Sequence, residues 1–344
     1  MGQPDRSWVL LWFVVAGTAA AMAQSVPGAG PGLLDIPGSL EVHWSEGAKD
    51  CEATPQPPLQ VHAYEPQTYI LRQSPCADFE ANFLYLLIGS DRALLIDTGA
   101  VESRKSMPLV DTVLRLLPMQ GGARLPLLVV HTHKHLDHRA GDPQFEGVAG
   151  VQLVPADLDS VRSFFGLQHW PDGVAHLELG GRGVDVIPAP GHQASHVVFY
   201  DSRTALLFSG DFLMPGRLLI EDADAFRDSA VRVIGFLKDR PVSHILGGHI
   251  ELDASGQPYP WGSRYHPNEH RLDLSREDLL ALPDAFAHFN GFYNQHPHFI
   301  LYNNMRTLLV LAAGVLAALA LGTWWLIRSL GRRRKARGQQ LSHA

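Results

Sequence analysis

Thr132-His133-Lys134-His135-Leu136-Asp137-His138 is the densest concentration of reactive side chains in the sequence. Four groups able to bind a metal, His133, His135, Asp137 and His138, fall within six residues, just after an apolar run at 125–130. Neutral imidazoles and a carboxylate suit zinc and its first-row neighbours. A strand sends successive side chains to opposite faces, so it could not aim these three histidines at one place. A loop leaving a buried strand end can. The spacing points to two metals, one on the His133/His135 pair and one on Asp137/His138. A solvated polar loop is the plainer reading, but such loops seldom gather ligands in this way.

The string resembles the His-x-His-x-Asp-His signature of the metallo-β-lactamase superfamily. Other landmarks of that family follow in order. Ala93-Leu94-Leu95-Ile96-Asp97-Thr98-Gly99 looks like its strand ending in Asp-Thr-Gly, and Pro188-Ala189-Pro190-Gly191-His192 like its Pro-Gly-His turn. Phe208-Ser209-Gly210-Asp211 looks like its Gly-Asp turn, and Gly247-Gly248-His249 like its final Gly-His. Each piece alone is weak; the ordered set over about residues 82–251 is specific. His131 offers a competing His-x-His pair with His133. Only His133/His135 leaves Asp137-His138 at the family spacing, so His131 is read as a strand-end or supporting residue. By the same logic His192 is the expected ligand and His196 opens the next strand.

The resemblance implies a first metal on His133, His135 and His192, a second on Asp137, His138 and His249, and Asp211 bridging them. A carboxylate has two oxygens and can span two ions, and a water between two divalent cations becomes a nucleophile near neutral pH. Asp137 could also orient that nucleophile or pass a proton to the leaving group. Asp97 is expected behind the ligands, orienting a histidine. An Asp at 211, where major β-lactamase classes carry Cys or Ser, resembles the glyoxalase II, lactonase and phosphodiesterase branches. The lactonase branch has a Tyr shortly afterwards; here Phe212, Leu213 and Met214 follow. Cytoplasmic glutathione thioesters fit poorly with the exported location argued below.

These residues need a scaffold, and the pattern supplies alternating elements. Strands are expected at 82–88, 92–96, 127–130, 151–154, 184–187, 197–200, 205–208 and 242–246. Helices are expected at 108–117, 157–165, 223–237 and 276–289. Alternation is consistent with an α/β fold; its form as a four-layer αββα metallo-β-lactamase sandwich comes from the resemblance. Each implied ligand lies just beyond an apolar segment, so several strand ends can converge on one edge.

Two segments take an unusual share of the 46% hydrophobic content. Residues 8–23 are apolar or small and end Ala21-Met22-Ala23-Gln24, a secretory signal pattern, with an uncleaved anchor as the alternative. Residues 307–327 carry no charge and are long enough to cross a bilayer, with Trp324 and Trp325 near one end. The tail Arg328, Arg332, Arg333, Arg334, Lys335, Arg337 places itself in the cytoplasm by the positive-inside rule, and the catalytic domain on the periplasmic or extracytoplasmic side. That tail holds six of the 28 basic residues and no acidic ones, leaving 22 basic against 35 acidic elsewhere. So acidic a domain is a poor partner for a phosphate backbone, and no nucleic-acid partner is expected.

The expected organisation is a signal segment (1–23), an irregular arm (24–75), a catalytic domain (76–254), an extension walling the pocket (255–304), a transmembrane helix (307–327) and a basic tail (328–344). Cys51 and Cys76 could bridge in an oxidising compartment or stand as two thiols. The expectation is a membrane-anchored hydrolase with two divalent ions, zinc by ligand type. It would cleave an ester, thioester, lactone or related acyl bond of a small-molecule substrate. A phosphodiesterase, a β-lactamase-type amide hydrolase and a degenerate metal-binding sensor are the alternatives; the intact ligand set argues against the last.

Overall fold

The computed structural model describes residues 38–341. The expected signal segment, and residues 24–37 of the expected arm, lie outside the described residues. The first half runs β1 (Leu59–Glu65), β2 (Thr68–Gln73), β3 (Phe83–Ile88), β4 (Ala93–Ile96), α1 (Leu109–Leu116), a small hairpin β5 (Met119–Gln120) and β6 (Ala123–Arg124), β7 (Leu127–Val130), α2 (Leu136–Arg139), β8 (Val151–Leu153) and α3 (Leu158–Phe165). The second runs β9 (Ala175–Glu178), β10 (Gly183–Pro188), β11 (Val197–Asp201), β12 (Leu206–Gly210), β13 (Arg217–Leu219), α4 (Ala223–Leu237), β14 (His244–Gly247), β15 (Asp273–Leu274) and α5 (Arg276–Ala287). Then follow β16 (Tyr293–Gln295), β17 (Ile300–Tyr302) and the long α6 (Asn304–Leu341).

Strands β3 and β4 are apolar at every position because both of their faces are covered. Phe83, Tyr85, Leu87, Leu94 and Ile96 face a core shared with Val186, Phe199 and Phe208 of the second sheet. Their alternates Leu84, Leu86, Ile88 and Leu95 pack on Leu109, Val110 and Val113 of α1. On the far side, Val198, Leu207 and Ile245 meet Phe226 and Val233 of α4 and Leu279 and Leu282 of α5. Helix, sheet, sheet and helix thus stack in four layers. The sheets are ordered β1-β2-β3-β4-β7-β8 and β15-β14-β12-β11-β10-β9.

Register explains where the reactive residues collect. Strands β4 and β7 are parallel, so their carboxyl ends share an edge. Strand β3 is antiparallel to β4, so its amino end reaches that same edge. In the second sheet β12 and β14 are parallel, and β10 runs the same way through β11.

The arm departs from the sequence expectation. Residues 59–73, expected to be irregular, form β1 and β2 and extend the first sheet in register from Leu59↔Gln73. Their pattern is obscured because buried Arg72 and Gln73 sit where apolar residues would be expected. Arg72 makes a bidentate pair with Glu269 at 2.6 and 2.5 Å, joining this strand to the extension. Cys51 and Cys76 are disulfide-bonded. The window Asn304–Ser329 of α6, none of it buried, is long and apolar enough to cross a membrane.

Candidate metal centre

The carboxyl ends of β7, β10, β12 and β14 deliver their following residues to one edge. His133, His135 and His192 form one group, and Asp137, His138, Asp211 and His249 another, with the donor atoms of each within 4.8 Å of one another. Each group takes residues from both sheets. His131 joins neither; its Nε2 lies 2.8 Å from Asp142 Oδ1. His196 is buried just before β11 and stacks on His133, ring centroids 4.9 Å apart.

In the first group His133 Nε2, His135 Nδ1 and His192 Nε2 stand 3.0–3.2 Å from one another. His192 Nδ1–H donates to the Leu219 carbonyl at 3.0 Å, and His133 Nδ1–H to Thr132 Oγ1 at 3.1 Å. A neutral imidazole donating from one nitrogen has only a lone pair on the other. Lone pairs crowded together in this way repel unless a cation lies among them. Four nitrogens around a tetrahedral zinc would be about 3.3 Å apart, close to the spacing seen.

In the second group His138 Nε2 lies 3.1 Å from Asp137 Oδ2 and 3.2 Å from His249 Nε2. His138 Nδ1–H donates to Asp97 Oδ2 at 2.9 Å, and His249 Nδ1–H to the Glu80 carbonyl at 2.6 Å. Asp97 also accepts from the Thr132 N–H at 2.8 Å and hydroxyl at 2.9 Å, fixing the start of the ligand loop. Asp211 faces both groups. Its Oδ1 is 3.3 Å from His138 Nε2, and its Oδ2 is 3.5 Å from His192 Nε2. That Oδ1 is buried without a hydrogen-bond partner, a costly state for a carboxylate unless a cation compensates it. A Cβ at Gly248 would come within 2.6 Å of the same oxygen and 2.9 Å of His138 Cε1, so a larger residue there would displace these two side chains.

Charge divides the groups. Burial, reinforced by neighbouring imidazoles, holds His133 well below its ordinary pKa. Burial likewise takes His192 down to about 4, although Asp211 opposes it. Burial also disfavours charge on His138 and His249. There the carboxylates prevail, with His138 well above its ordinary value and His249 raised to about 10. Burial resists ionisation of Asp137 and Asp211 as well, but His138 and His249 hold both below the usual carboxyl range.

Several functional groups left no mark that the sequence reading caught. Asn82 Nδ2 lies 3.3 Å from both Asp137 Oδ2 and His249 Nε2. Its signal was its place at the head of an apolar strand antiparallel to the Asp97 strand. Glu221 Oε1 lies 3.4 Å from His135 Nε2, and no spacing announces it. The carbonyls of Glu80 and Leu219 are invisible by residue type.

A family model described as the metallo-beta-lactamase superfamily matches residues 77–287. An acyl-coenzyme A thioesterase, MBLAC2, of Gallus gallus is 26% identical over 215 residues, covering 53% of this chain and 77% of its own. A hydroxyacylglutathione hydrolase of Fuscovulum blasticum is 30% identical over 223 residues, covering 62% of this chain and 81% of its own. A solved metallo-beta-lactamase from Pontibacter korlensis is 18% identical with a TM-score of 0.46, covering 67% of this chain and all of that one. With more than half its length matched by that model, the chain belongs to the metallo-beta-lactamase superfamily of metal-dependent hydrolases.

Proposed function

We propose that this chain is a two-zinc acyl hydrolase, with a thioester as the favoured substrate, anchored by α6 with its catalytic domain on the exported side. The observation that carries the two-metal reading is Asp211, whose two oxygens face the two donor groups. His133, His135 and His192 would hold one ion and Asp137, His138 and His249 the other, with Asp211 facing both. The thioester preference is supported by relatives named as an acyl-coenzyme A thioesterase and a hydroxyacylglutathione hydrolase. The exported side is supported by the basic residues that follow the apolar span.

When bound, such ions lower the pKa of a water and draw electron density from the scissile carbonyl. The chain's own residues do the rest. Asn82 steers Asp137 Oδ2 toward His138 and His249. Asp137 Oδ1 makes no protein hydrogen bond among the described residues, so it can take the proton of the attacking water and pass it to the departing thiol. Water supplies oxygen to the acyl carbon, the C–S bond breaks, and the thiol leaves with that proton.

Initial rates of thioester cleavage by the full chain in detergent test this reading. Chelation should abolish turnover and added zinc restore it, and Asp211→Asn should fall to background while keeping the wild-type circular dichroism. Chelator-insensitive turnover, or an active Asp211→Asn, would sink the proposal.

A further inference from the structure

The apolar helix is rooted beside the candidate metal centre. Strand β17 pairs with β13 so that Tyr302 lies against Leu219. The Ile220 N–H donates to the Tyr302 carbonyl at 2.9 Å. The Leu219 carbonyl in turn receives His192 Nδ1–H at 3.0 Å. Neighbouring strands are about 4.8 Å apart, so the His192 ring lies within roughly 11 Å of the Tyr302 backbone. Helix α6 begins two residues later, at Asn304. The polar layer on each face of a bilayer is only about 5–7 Å thick. With α6 seated in a bilayer, a centre tied this closely to its foot would stand at the level of the headgroups or just above them.

Exposed apolar side chains stand within the donor loop and in the cleft next to the centre. Leu136, between His135 and Asp137, is 65% exposed, and Trp261 is 61% exposed. Trp261 lines the cleft that also contains Glu80, whose carbonyl accepts from His249, with Ile250 and Glu251, and its ring is 6.4 Å from that of Phe79. Large apolar side chains such as Trp are favoured against an acyl chain or the membrane interface.

We infer that the substrate is a long-chain acyl thioester residing in the bilayer, its chain passing over Leu136 and Trp261 as the carbonyl reaches the metal groups. This rests on the hydrolase and anchor readings above. Hydrolysis would free the fatty acid and the thiol, with water as the only co-reactant.

The test uses the full chain in phosphatidylcholine vesicles with two thioesters of N-acetylcysteamine, the bilayer-soluble hexadecanoyl and the water-soluble butanoyl. A rigid helical spacer of three EAAAK repeats between Asn304 and Met305 lifts the domain by about 22 Å. Hexadecanoyl turnover should then fall at least about tenfold while butanoyl turnover stays within about twofold. Equal rates with and without the spacer would overturn the inference, as would both rates falling together, or wild-type protein cleaving only the butanoyl ester. Wild-type protein silent on both would overturn the hydrolase reading first and this inference with it.

Discussion

At the residue scale, the residues that converge in the two groups were legible because their chemistry is carried by residue type and spacing, whereas the groups behind them were only partly so. Asp97 could be expected from its Asp-Thr-Gly setting, and it holds both His138 and Thr132. The Glu80 and Leu219 carbonyls could not, because every residue has one and only the fold chooses which is used. Asp97→Asn should lower metal affinity or turnover about 10–100-fold with the fold intact, checked by metal titration beside circular dichroism. Acid should separate the two groups. Metal must compete with protons at His138 and His249, whose hold on a proton the neighbouring carboxylates strengthen against burial, so affinity there falls as pH falls. His133 and His192 are held low and stay neutral further into acid. Dialysis at about pH 5.5 should therefore leave one ion of two, counted by elemental analysis, and parallel loss of both would contradict the assignment.

At the element scale, long apolar strands and capped helices were readable. The expected helix at 223–237 is α4, with the Asp222 side chain capping the Asp224 and Ala225 N–H groups. Strands β1 and β2 were missed for a physical reason. An edge strand exposes part of its length, and Arg72 is polar only because Glu269, remote in sequence, completes it. A strand stabilised by such a pair carries no alternation to detect. Removing one partner leaves a buried charge, so Glu269→Ala should cost about 3–5 kcal/mol in denaturant unfolding. The Cys51–Cys76 bond spans 25 residues and fastens the arm to the loop before β3. Replacing both by Ser should cost about 3 kcal/mol by the same measurement, with little change in metal content.

At the scale of the whole molecule, the αββα layering required the resemblance, since alternation alone fits a doubly wound sheet equally well. The uncharged run at 307–327 was plainer, and it lies in an exposed helix long and apolar enough to cross a membrane. Ending the chain at Asn303 should move the protein from the membrane to the soluble fraction of lysed cells. Each donor group draws on both sheets, which has a thermodynamic consequence. A ligand that binds only when two layers are apposed acts as a clamp, and its chemical potential becomes part of the folding equilibrium. At a free ion concentration about a thousand times Kd, each site would add about 4 kcal/mol to the native state. Depleting the ion should lower the melting midpoint by roughly 10 °C per site. In a metal-starved compartment this enzyme would then be lost to proteolysis as well as inactive, so its abundance would report the local supply of the ion.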